Sequence, residues 1–151
     1  GKYIIMGDAD DSYNFLELSL FIERLQAGYD MVMGNRFAGG ITKGAMPWLH
    51  RYVGNPFLSS LGRFLFKNNI GDFHCGLRAF TKKCYNIINP QCNGMEFASE
   101  LVALASIHQM RICEIPVTLY PDGRKRRPHL RSWRDGFRHM VLLYSLYLLR
   151  N

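Results

Sequence analysis

The chain has no closely paired cysteines, no long apolar run and no recognisable signal peptide, and each absence excludes a class of protein. Its four cysteines are irregularly spaced without a CxxC pair, which argues against a structural zinc site and favours reduced, mostly buried thiols in a cytosol-facing protein. The longest apolar run, from Met140 to Leu149 with Ser145 as its only interruption, is about half of the ~18 residues that a membrane span requires. The sequence therefore predicts neither a zinc-binding module nor a membrane-spanning segment.

The composition is that of a folded domain with unevenly placed charge. Hydrophobic residues make up 48% of the 151 residues and charged residues 21%, which excludes wholesale disorder and fits one compact domain. Residues 1–35 carry six acidic and two basic side chains, whereas residues 122–138 carry seven basic and two acidic ones. With a net charge of +7, this asymmetry favours an anionic partner, and predicts one site that combines carboxylates for a cation with cations for phosphate.

The opening of the sequence predicts a part of a longer protein. Residues 3–6 form a short apolar run of the kind found in a fully buried strand, and no initiator methionine precedes them. A chain rarely begins with a central strand, so we expect upstream strands and interpret residues 1–151 as the C-terminal portion of one domain.

Hydrophobic periodicity predicts alternating strands and helices, and their order favours a parallel α/β unit. Ser12 or Asp11 is expected to cap the first helix, Gly28 to end it, and Pro56 to break or kink the second. The final helix, at about 132–150, is amphipathic and is expected to lie next to a membrane. The predicted strands are 2–6, 30–34, 77–80 and 112–119, and the predicted helices are 14–27, 48–66, 82–88, 96–109 and 132–149.

Two carboxylates follow the first predicted strand, in the sequence Gly7-Asp8-Ala9-Asp10. Open α/β sheets bind ligands beyond the carboxyl ends of their strands, and paired carboxylates there suit Mg²⁺ or Mn²⁺, which also bind substrate phosphates. The alternative is an acidic turn whose aspartates only cap the next helix.

Two further clusters carry acidic residues. Asp72 precedes a glycine-containing loop and suits a general base, with Arg78 either holding a phosphate or fixing that aspartate; a loop salt bridge is the alternative. A lone loop histidine such as His74 is most often a hydrogen-bonding spectator. Glu96 and Glu100 share a helix face, which is either solvated or, at Glu96, close enough to the helix start to enter the site.

The segment from Asp122 to Arg131 is strongly basic and marked by glycine and proline. Such a segment can clamp a diphosphate, bind nucleic acid, lie on anionic lipid headgroups, or simply be solvated. Nucleic acid is the least favoured partner, because no aromatic residues are interleaved for base stacking.

Six motifs occur in order along nearly the whole chain, and together they resemble family 2 glycosyltransferases of the dolichyl-phosphate mannosyltransferase and polyprenyl-phosphate glucosyltransferase type. The motifs are GDAD at 7–10, GNRF at 34–37, MPWLHR at 46–51 with GNP at 54–56, DFHCGLRAF at 72–80, GMEFASE at 94–100 and RDGFRH at 134–139.

The resemblance implies an incomplete GT-A fold that lacks its N-terminal strands. It also implies an inverting, metal-dependent enzyme that moves a hexose from a UDP- or GDP-sugar to a polyprenyl phosphate, such as dolichyl or undecaprenyl phosphate. The reaction would take place at the cytoplasmic face of a membrane.

The same resemblance assigns roles to individual residues. Asp8 and Asp10 match the DxD motif that holds Mg²⁺ or Mn²⁺, and Asp10 and Asp72 are the candidate catalytic residues. A phosphate acceptor is already ionised near neutral pH, so Asp72 is expected to orient rather than deprotonate. The remaining candidates are Arg124, Lys125, Arg126 and Arg78 for the donor diphosphate, Arg36, Arg51 and Asn55 for the acceptor phosphate, and Glu96 as a further site residue.

Two other classes of protein fit the same residues. One is a non-catalytic module that binds anionic membranes through residues 124–150. The other is a metal-dependent nucleotidyltransferase or phosphotransferase that uses the same two aspartates. Release of free UDP or GDP, rather than pyrophosphate or a nucleoside monophosphate, would distinguish glycosyl transfer from the second class.

Overall fold

The computed structural model describes residues 1–123 and 132–150, and its centre is a mixed sheet of four strands. The strands are β1 (Tyr3–Met6), β2 (Met31–Asn35), β3 (Arg78–Thr81) and β4 (Ile112–Pro116), in the order β1-β3-β2-β4. β3 is antiparallel to both neighbours, and β2 is parallel to β4. The carboxyl ends of β1, β2 and β4 and the amino end of β3 therefore meet at one edge of the sheet.

Six α-helices surround this sheet in the described part of the chain. They are α1 (Leu18–Gln26), α2 (Arg36–Gly39), α3 (Asn55–Phe66), α4 (Lys82–Ile88), α5 (Phe97–Ile107) and α6 (Ser132–Leu149). One 3₁₀ turn at Phe15–Glu17 precedes α1, and a π-helical turn at His50–Gly54 leads into α3. No helix within residues 1–123 and 132–150 combines the length and the apolar character needed to cross a bilayer.

The predicted elements are present. β1 and β2 are parallel to each other, as the strand–helix–strand order predicted, but β3 lies between them and is antiparallel to both. The expectation that β1 is fully buried was wrong. In the described residues β1 is the outermost strand of the sheet and pairs only with β3, and Ile5 and Met6 are each 37% exposed.

The expected helix cap was also wrong. Asn14, and not Ser12 or Asp11, caps the first helical turn, with its side chain accepting a hydrogen bond from the Leu16 N–H at 3.1 Å. Gly28 does follow the end of α1, with a left-handed φ of 92°. Pro56 lies in the first turn of α3, where its missing N–H removes no helical hydrogen bond. The interruption predicted at Pro56 is therefore the start of that helix.

Alternate residues of β2 face two separate hydrophobic clusters, as expected for a strand covered on both faces. Val32 packs with Phe21 and Leu25 of α1, whereas Met31 and Met33 pack with residues of α4 and α5. A third cluster joins α3, α5 and α6 and consists of Phe66, Ala103 and Leu143. α6 is therefore packed onto the domain through a buried leucine.

Candidate active site

The candidate site lies at the end of the sheet where β1, β2 and β4 have their carboxyl ends. The residues that connect α3 to β3 form the centre of this region, and we call residues 71–77 the site loop. Glu114 of β4 fixes its start, because its Oε1 accepts the N–H groups of Gly71 and Asp72 at 2.9 and 3.0 Å.

Asp72 and Arg36 form a buried ion pair inside this region. The Arg36 Nε and Nη2 donate to the two carboxylate oxygens of Asp72 at 2.7 Å each, and the Arg36 N–H adds a third bond at 3.1 Å. The His74 N–H donates to the same carboxylate at 3.2 Å, and Asp72 is completely buried. Burial lowers the pKa of Arg36, but the hydrogen bonds and charge of Asp72 outweigh it and raise the net pKa. A carboxylate with four donors suits a positioning role better than proton abstraction.

The Asp8 carboxylate lies directly against Gly76 of the site loop. A Cβ atom at Gly76 would collide with this carboxylate, so no larger residue fits without a shift. The Gly76 N–H in turn donates to the hydroxyl of Tyr13 at 3.0 Å. Burial raises the pKa of that phenol well above its ordinary value, so Tyr13 is a neutral support for the loop beneath Asp8.

Asp10 belongs to a tight turn that also contacts the segment before the basic residues. Its Oδ1 accepts the Ser12 N–H at 3.3 Å and the Ser12 hydroxyl at 2.5 Å. The Asp10 carbonyl accepts the Gly123 N–H at 2.9 Å, so the acidic turn and the start of the basic segment touch. The candidate donor-binding residues Arg124, Lys125 and Arg126 lie outside the described residues.

The donor atoms of Asp8 and Asp10 fit the divalent cation that the family resemblance implies. Both offer hard carboxylate oxygens, which Mg²⁺ and Mn²⁺ prefer. Within residues 1–123 and 132–150, no three acidic, histidine or cysteine side chains come together as a closed metal cage. Two carboxylates leave coordination positions for substrate phosphates, which is the usual arrangement for Mg²⁺ in transfer enzymes.

Arg78 lies under the site loop and not at its surface. It is 2% exposed, and its guanidinium donates to the carbonyl oxygens of Cys75 and, at 3.3 Å, Ala98. Burial lowers the pKa of Arg78, with the nearby Asp8 among the groups that oppose this. The arrangement favours a role in holding the loop over the direct diphosphate contact expected from the sequence.

Glu96 is the residue before α5 and connects that helix to α6. Its Oε1 accepts a hydrogen bond from Arg138 Nη2 at 2.6 Å, while its Oε2 is buried and has no hydrogen-bond partner among residues 1–123 and 132–150. The solvated helix face considered for Glu96 and Glu100 is wrong for Glu100. That side chain is 4% exposed and accepts the backbone N–H groups of Gln91 and Cys92 at 2.9 and 2.8 Å.

Arg51 and Asn55 lie next to an exposed apolar surface. The Arg51 guanidinium is 5.4 Å from the centre of the Tyr52 ring and donates to the Ile41 carbonyl at 3.4 Å. Burial and then the charge of Arg36 lower the pKa of His50, which places this turn within electrostatic reach of Arg36. We call the surface the 48–64 face; its exposed side chains are Trp48, Leu49, Tyr52, Val53, Phe57 and Phe64.

Three polar residues next to the site, two of them buried, were not given their role from the sequence. The Ser99 Oγ lies 2.9 Å from His74 Nε2 and 2.8 Å from His139 Nδ1. His74 and His139 belong to two of the motifs. His74 was interpreted as a hydrogen-bonding spectator, and no role was assigned to His139. Nothing in a single sequence shows that residues 25 and 40 positions from Ser99 meet at its hydroxyl.

The family model described as glycosyl transferase family 2 matches residues 1–87 of the chain. The low-salt glycan biosynthesis hexosyltransferase Agl6 of Haloferax volcanii is 39% identical over 141 residues, which cover 93% of this chain and 34% of the relative. The dolichyl-phosphate hexose transferase of the same organism is 32% identical over 116 residues, which cover 76% of this chain and 48% of the relative.

Two solved structures of glucosyl-3-phosphoglycerate synthase from Mycobacterium tuberculosis share the fold at 15% identity. The complex with phosphoglyceric acid has a TM-score of 0.65 and covers 97% of this chain and 50% of that one. The complex with Mn²⁺, UDP-glucose and glycerol 3-phosphate has a TM-score of 0.59 over 99% of this chain and 50% of that one. The GT-A fold expected from the motifs is confirmed, and the chain spans about a third to a half of the proteins it matches.

Proposed function

The chain belongs to glycosyl transferase family 2, and from that premise we propose that it supplies part of the active site of a polyprenyl-phosphate hexosyltransferase. The observation that carries the proposal is that the acidic turn and the buried ion pair meet at the site loop, where Asp8 lies against Gly76 and Arg36 pairs with Asp72. The acidic turn with Asp8 and Asp10, the buried Arg36–Asp72 pair, and the 48–64 face next to Arg51 each suit one part of such a reaction.

The donor side of the reaction is assigned to the acidic turn. Asp8 and Asp10 would hold Mg²⁺ or Mn²⁺, and the Mn²⁺ and UDP-glucose named for one structural relative support this assignment. The bound cation supplies charge neutralisation at the leaving diphosphate. Ser12 holds the Asp10 carboxylate with two hydrogen bonds, and the Asp8 carboxylate lies against Gly76. Asp10 would be a catalytic residue because it would hold the cation. Arg124, Lys125 and Arg126 are proposed to contact the donor diphosphate.

The acceptor side is assigned to Arg36, Arg51 and Asn55. A lipid phosphate needs cationic donors at its headgroup and apolar surface along its chain, and Arg51 lies where the 48–64 face begins. Asp72 fixes the Arg36 guanidinium by two hydrogen bonds of 2.7 Å. Because the acceptor phosphate is already ionised near neutral pH, orientation by Asp72 is sufficient. Attack on the anomeric carbon from the face opposite the diphosphate inverts the configuration.

The substrate classes follow from the relatives and from the surface. A dolichyl-phosphate hexose transferase and a hexosyltransferase among the relatives favour a hexose donor and a polyprenyl-phosphate acceptor. The 48–64 face and the exposed apolar residues of α6, among them Phe137 and Leu149, favour contact with a membrane surface. The net charge of +7 favours an anionic surface, and we propose that the protein acts on the cytoplasmic side.

The test is product analysis with the full-length protein. Incubation with UDP- and GDP-hexoses, Mn²⁺ and dolichyl or undecaprenyl phosphate in vesicles should yield a glycolipid and free UDP or GDP. Pyrophosphate or a nucleoside monophosphate as the product would instead indicate the nucleotidyltransferase or phosphotransferase class. Vesicle binding with no turnover of any donor would indicate a membrane-binding module.

A further inference from the structure

A single buried hydroxyl connects three elements around the site. Ser99 is fully buried in the first turns of α5, and its Oγ lies 2.9 Å from His74 of the site loop and 2.8 Å from His139 of α6. The two imidazole rings also meet edge to face, with their centres 4.8 Å apart. We call these three residues the Ser99 cluster.

The hydrogen-bonding capacity of the cluster makes its members interdependent. A hydroxyl has one hydrogen, so both contacts are hydrogen bonds when one ring presents an N–H to Oγ and the other presents its lone pair; Ser99 then accepts from the first ring and donates to the second. Burial lowers the pKa of both His74 and His139, which keeps the rings neutral and suits this alternation of donor and acceptor. Loss of the hydroxyl would leave two ring nitrogens without their shared partner, and an unsatisfied buried polar atom is unfavourable.

The cluster is hydrogen-bonded directly to the ion pair of the site through His74. The His74 N–H donates to Asp72 Oδ1 at 3.2 Å, and Asp72 holds Arg36. Because Ser99 holds the far end of the His74 ring, it restrains the backbone whose N–H reaches Asp72. Ser99, His74, Asp72 and Arg36 thus form one continuous path of hydrogen bonds.

At its other end, the path depends on how α6 packs against the domain. Arg138, the residue before His139, pairs with Glu96 at 2.6 Å, and Leu143 one turn further on is fully buried. These contacts set where His139 lies, and His139 in turn shares the hydroxyl that holds His74.

We propose that Ser99 and His139 are positioning residues for hexosyl transfer. They couple the packing of α6 against α5 to the geometry of the Asp72–Arg36 pair. The inference rests on the proposed function, since it matters for catalysis only if that pair serves the acceptor phosphate. Neither Ser99 nor His139 touches substrate; both act through His74 and Asp72.

The first test is steady-state kinetics of the full-length protein with a UDP- or GDP-hexose and dolichyl phosphate. Ser99→Ala should lower kcat/KM for the acceptor about tenfold to a hundredfold, the usual effect of losing a residue that supports a site side chain. The KM for the nucleotide sugar should stay within about twofold, because the path does not include the acidic turn. Ser106→Ala is the matched control: it removes another α5 hydroxyl, bonded to Asn68 and Val102, that does not contact His74.

A second pair of variants keeps the test valid if Ser99→Ala does not fold. In His139→Asn the side-chain amide can occupy the position of Nδ1 and keep the bond to Ser99, whereas His139→Leu removes it. Rescue of acceptor kcat/KM in His139→Asn relative to His139→Leu is expected. Equal activity in these two variants would overturn the proposal.

The second readout does not depend on turnover. Hydrogen exchange of the His74 amide reports its bond to Asp72, and it should become about tenfold faster in Ser99→Ala but not in Ser106→Ala. An unchanged exchange rate, or a loss of activity shared by Ser106→Ala, would assign Ser99 a general structural role and overturn the inference. A wild-type protein that transfers no hexose overturns the proposed function and the inference together. An active wild type whose acceptor kcat/KM is insensitive to Ser99→Ala overturns the inference alone.

Discussion

At the scale of single residues, two buried arginines near the sheet edge are stabilised in different ways. Arg36 has a full counter-charge in Asp72, whereas Arg78 donates to the carbonyl oxygens of Cys75 and Ala98. A buried pair is maintained only as long as both partners remain, because the survivor would be a buried charge without compensation. The Arg36–Asp72 pair is therefore the part of the site most sensitive to a small chemical change.

We predict that Asp72→Asn destabilises the protein by about 3–5 kcal/mol, the usual cost of removing one partner from a buried ion pair. Denaturant unfolding of the full-length protein measures this. Arg138→Gln is the control, because the Arg138 side chain is 47% exposed in its pair with Glu96 and such pairs contribute at most ~1 kcal/mol. Equal losses in the two variants would contradict the prediction that burial makes the Arg36–Asp72 pair the more costly one to break.

A second residue-scale prediction concerns the acidic turn. Asp8→Asn or Asp10→Asn should reduce turnover by ~10²-fold or more, the scale of losing one key electrostatic stabiliser, and should weaken Mn²⁺-dependent donor binding. Isothermal titration with UDP- and GDP-hexoses in the presence and absence of Mn²⁺ separates binding from catalysis. Asp11→Asn is the control, since asparagine also adopts the left-handed backbone that Asp11 has at φ 63°. Unchanged donor affinity and rate in both test variants would contradict the metal assignment.

At the scale of elements, local sequence patterns predicted most helices and strands but not how they assemble. α4 coincides with its predicted range of 82–88, because Thr81 accepts the Cys84 N–H as a cap and Asn89 ends the helix in a left-handed conformation. α2 was missed, since four residues are too few to show a periodicity. The sheet order could not be predicted because β3 inserts between β1 and β2 through long-range pairing that leaves no local signal.

For the site, too, the residue types could be predicted from the sequence but the contacts between them could not. The residue types at the strand ends indicated a cation and phosphate site, and Asp8, Arg36 and Asp72 do come to one edge. The sequence did not show that Asp72 already has Arg36 as its partner 36 residues away, or that Arg78 points beneath the loop. Those facts depend on which face of each element is buried.

An element-scale prediction follows from the 48–64 face. Trp48 and Phe57 are 68% and 56% exposed, and transfer of large apolar side chains into a bilayer interface contributes about 1.5–3 kcal/mol each. Trp48→Ser with Phe57→Ser should therefore weaken binding to anionic vesicles about a hundredfold or more in a flotation assay. Leu16→Ser is the control, because Leu16 is 89% exposed but lies on the 3₁₀ turn before α1. A similar loss in the Leu16 variant would argue against a specific lipid-facing surface.

At the scale of the whole molecule, the two histidines of the Ser99 cluster link stability to pH. Burial, followed by the neighbouring His139 and the charges of Arg36 and Arg78, holds the pKa of His74 well below its ordinary value. Burial also lowers the pKa of His139, although Glu96 and Asp135 oppose the effect. An unfolded histidine titrates near ~6.5, so below that pH the unfolded chain binds protons that the folded chain does not. The contribution of these residues to stability is therefore complete above pH ~6.5 and is lost as the pH falls through the folded-state pKa values.

We predict that the melting temperature falls between pH 7.5 and pH 5.5 and that the double variant His74→Gln with His139→Asn flattens this dependence. Each depressed histidine contributes at most ~1.4 kcal/mol per pH unit below ~6.5, so the two together contribute at most ~2.8 kcal/mol at pH 5.5. At the roughly 2–4 °C per kcal/mol typical of a domain of this size, the combined shift is at most about 6–11 °C. His108→Gln removes an exposed histidine and should leave the pH profile of the wild type unchanged. Thermal unfolding of the full-length proteins at the two pH values measures all three. A double variant that loses as many degrees as the wild type would show that carboxylates, and not the Ser99 cluster, set the acid limit of the fold.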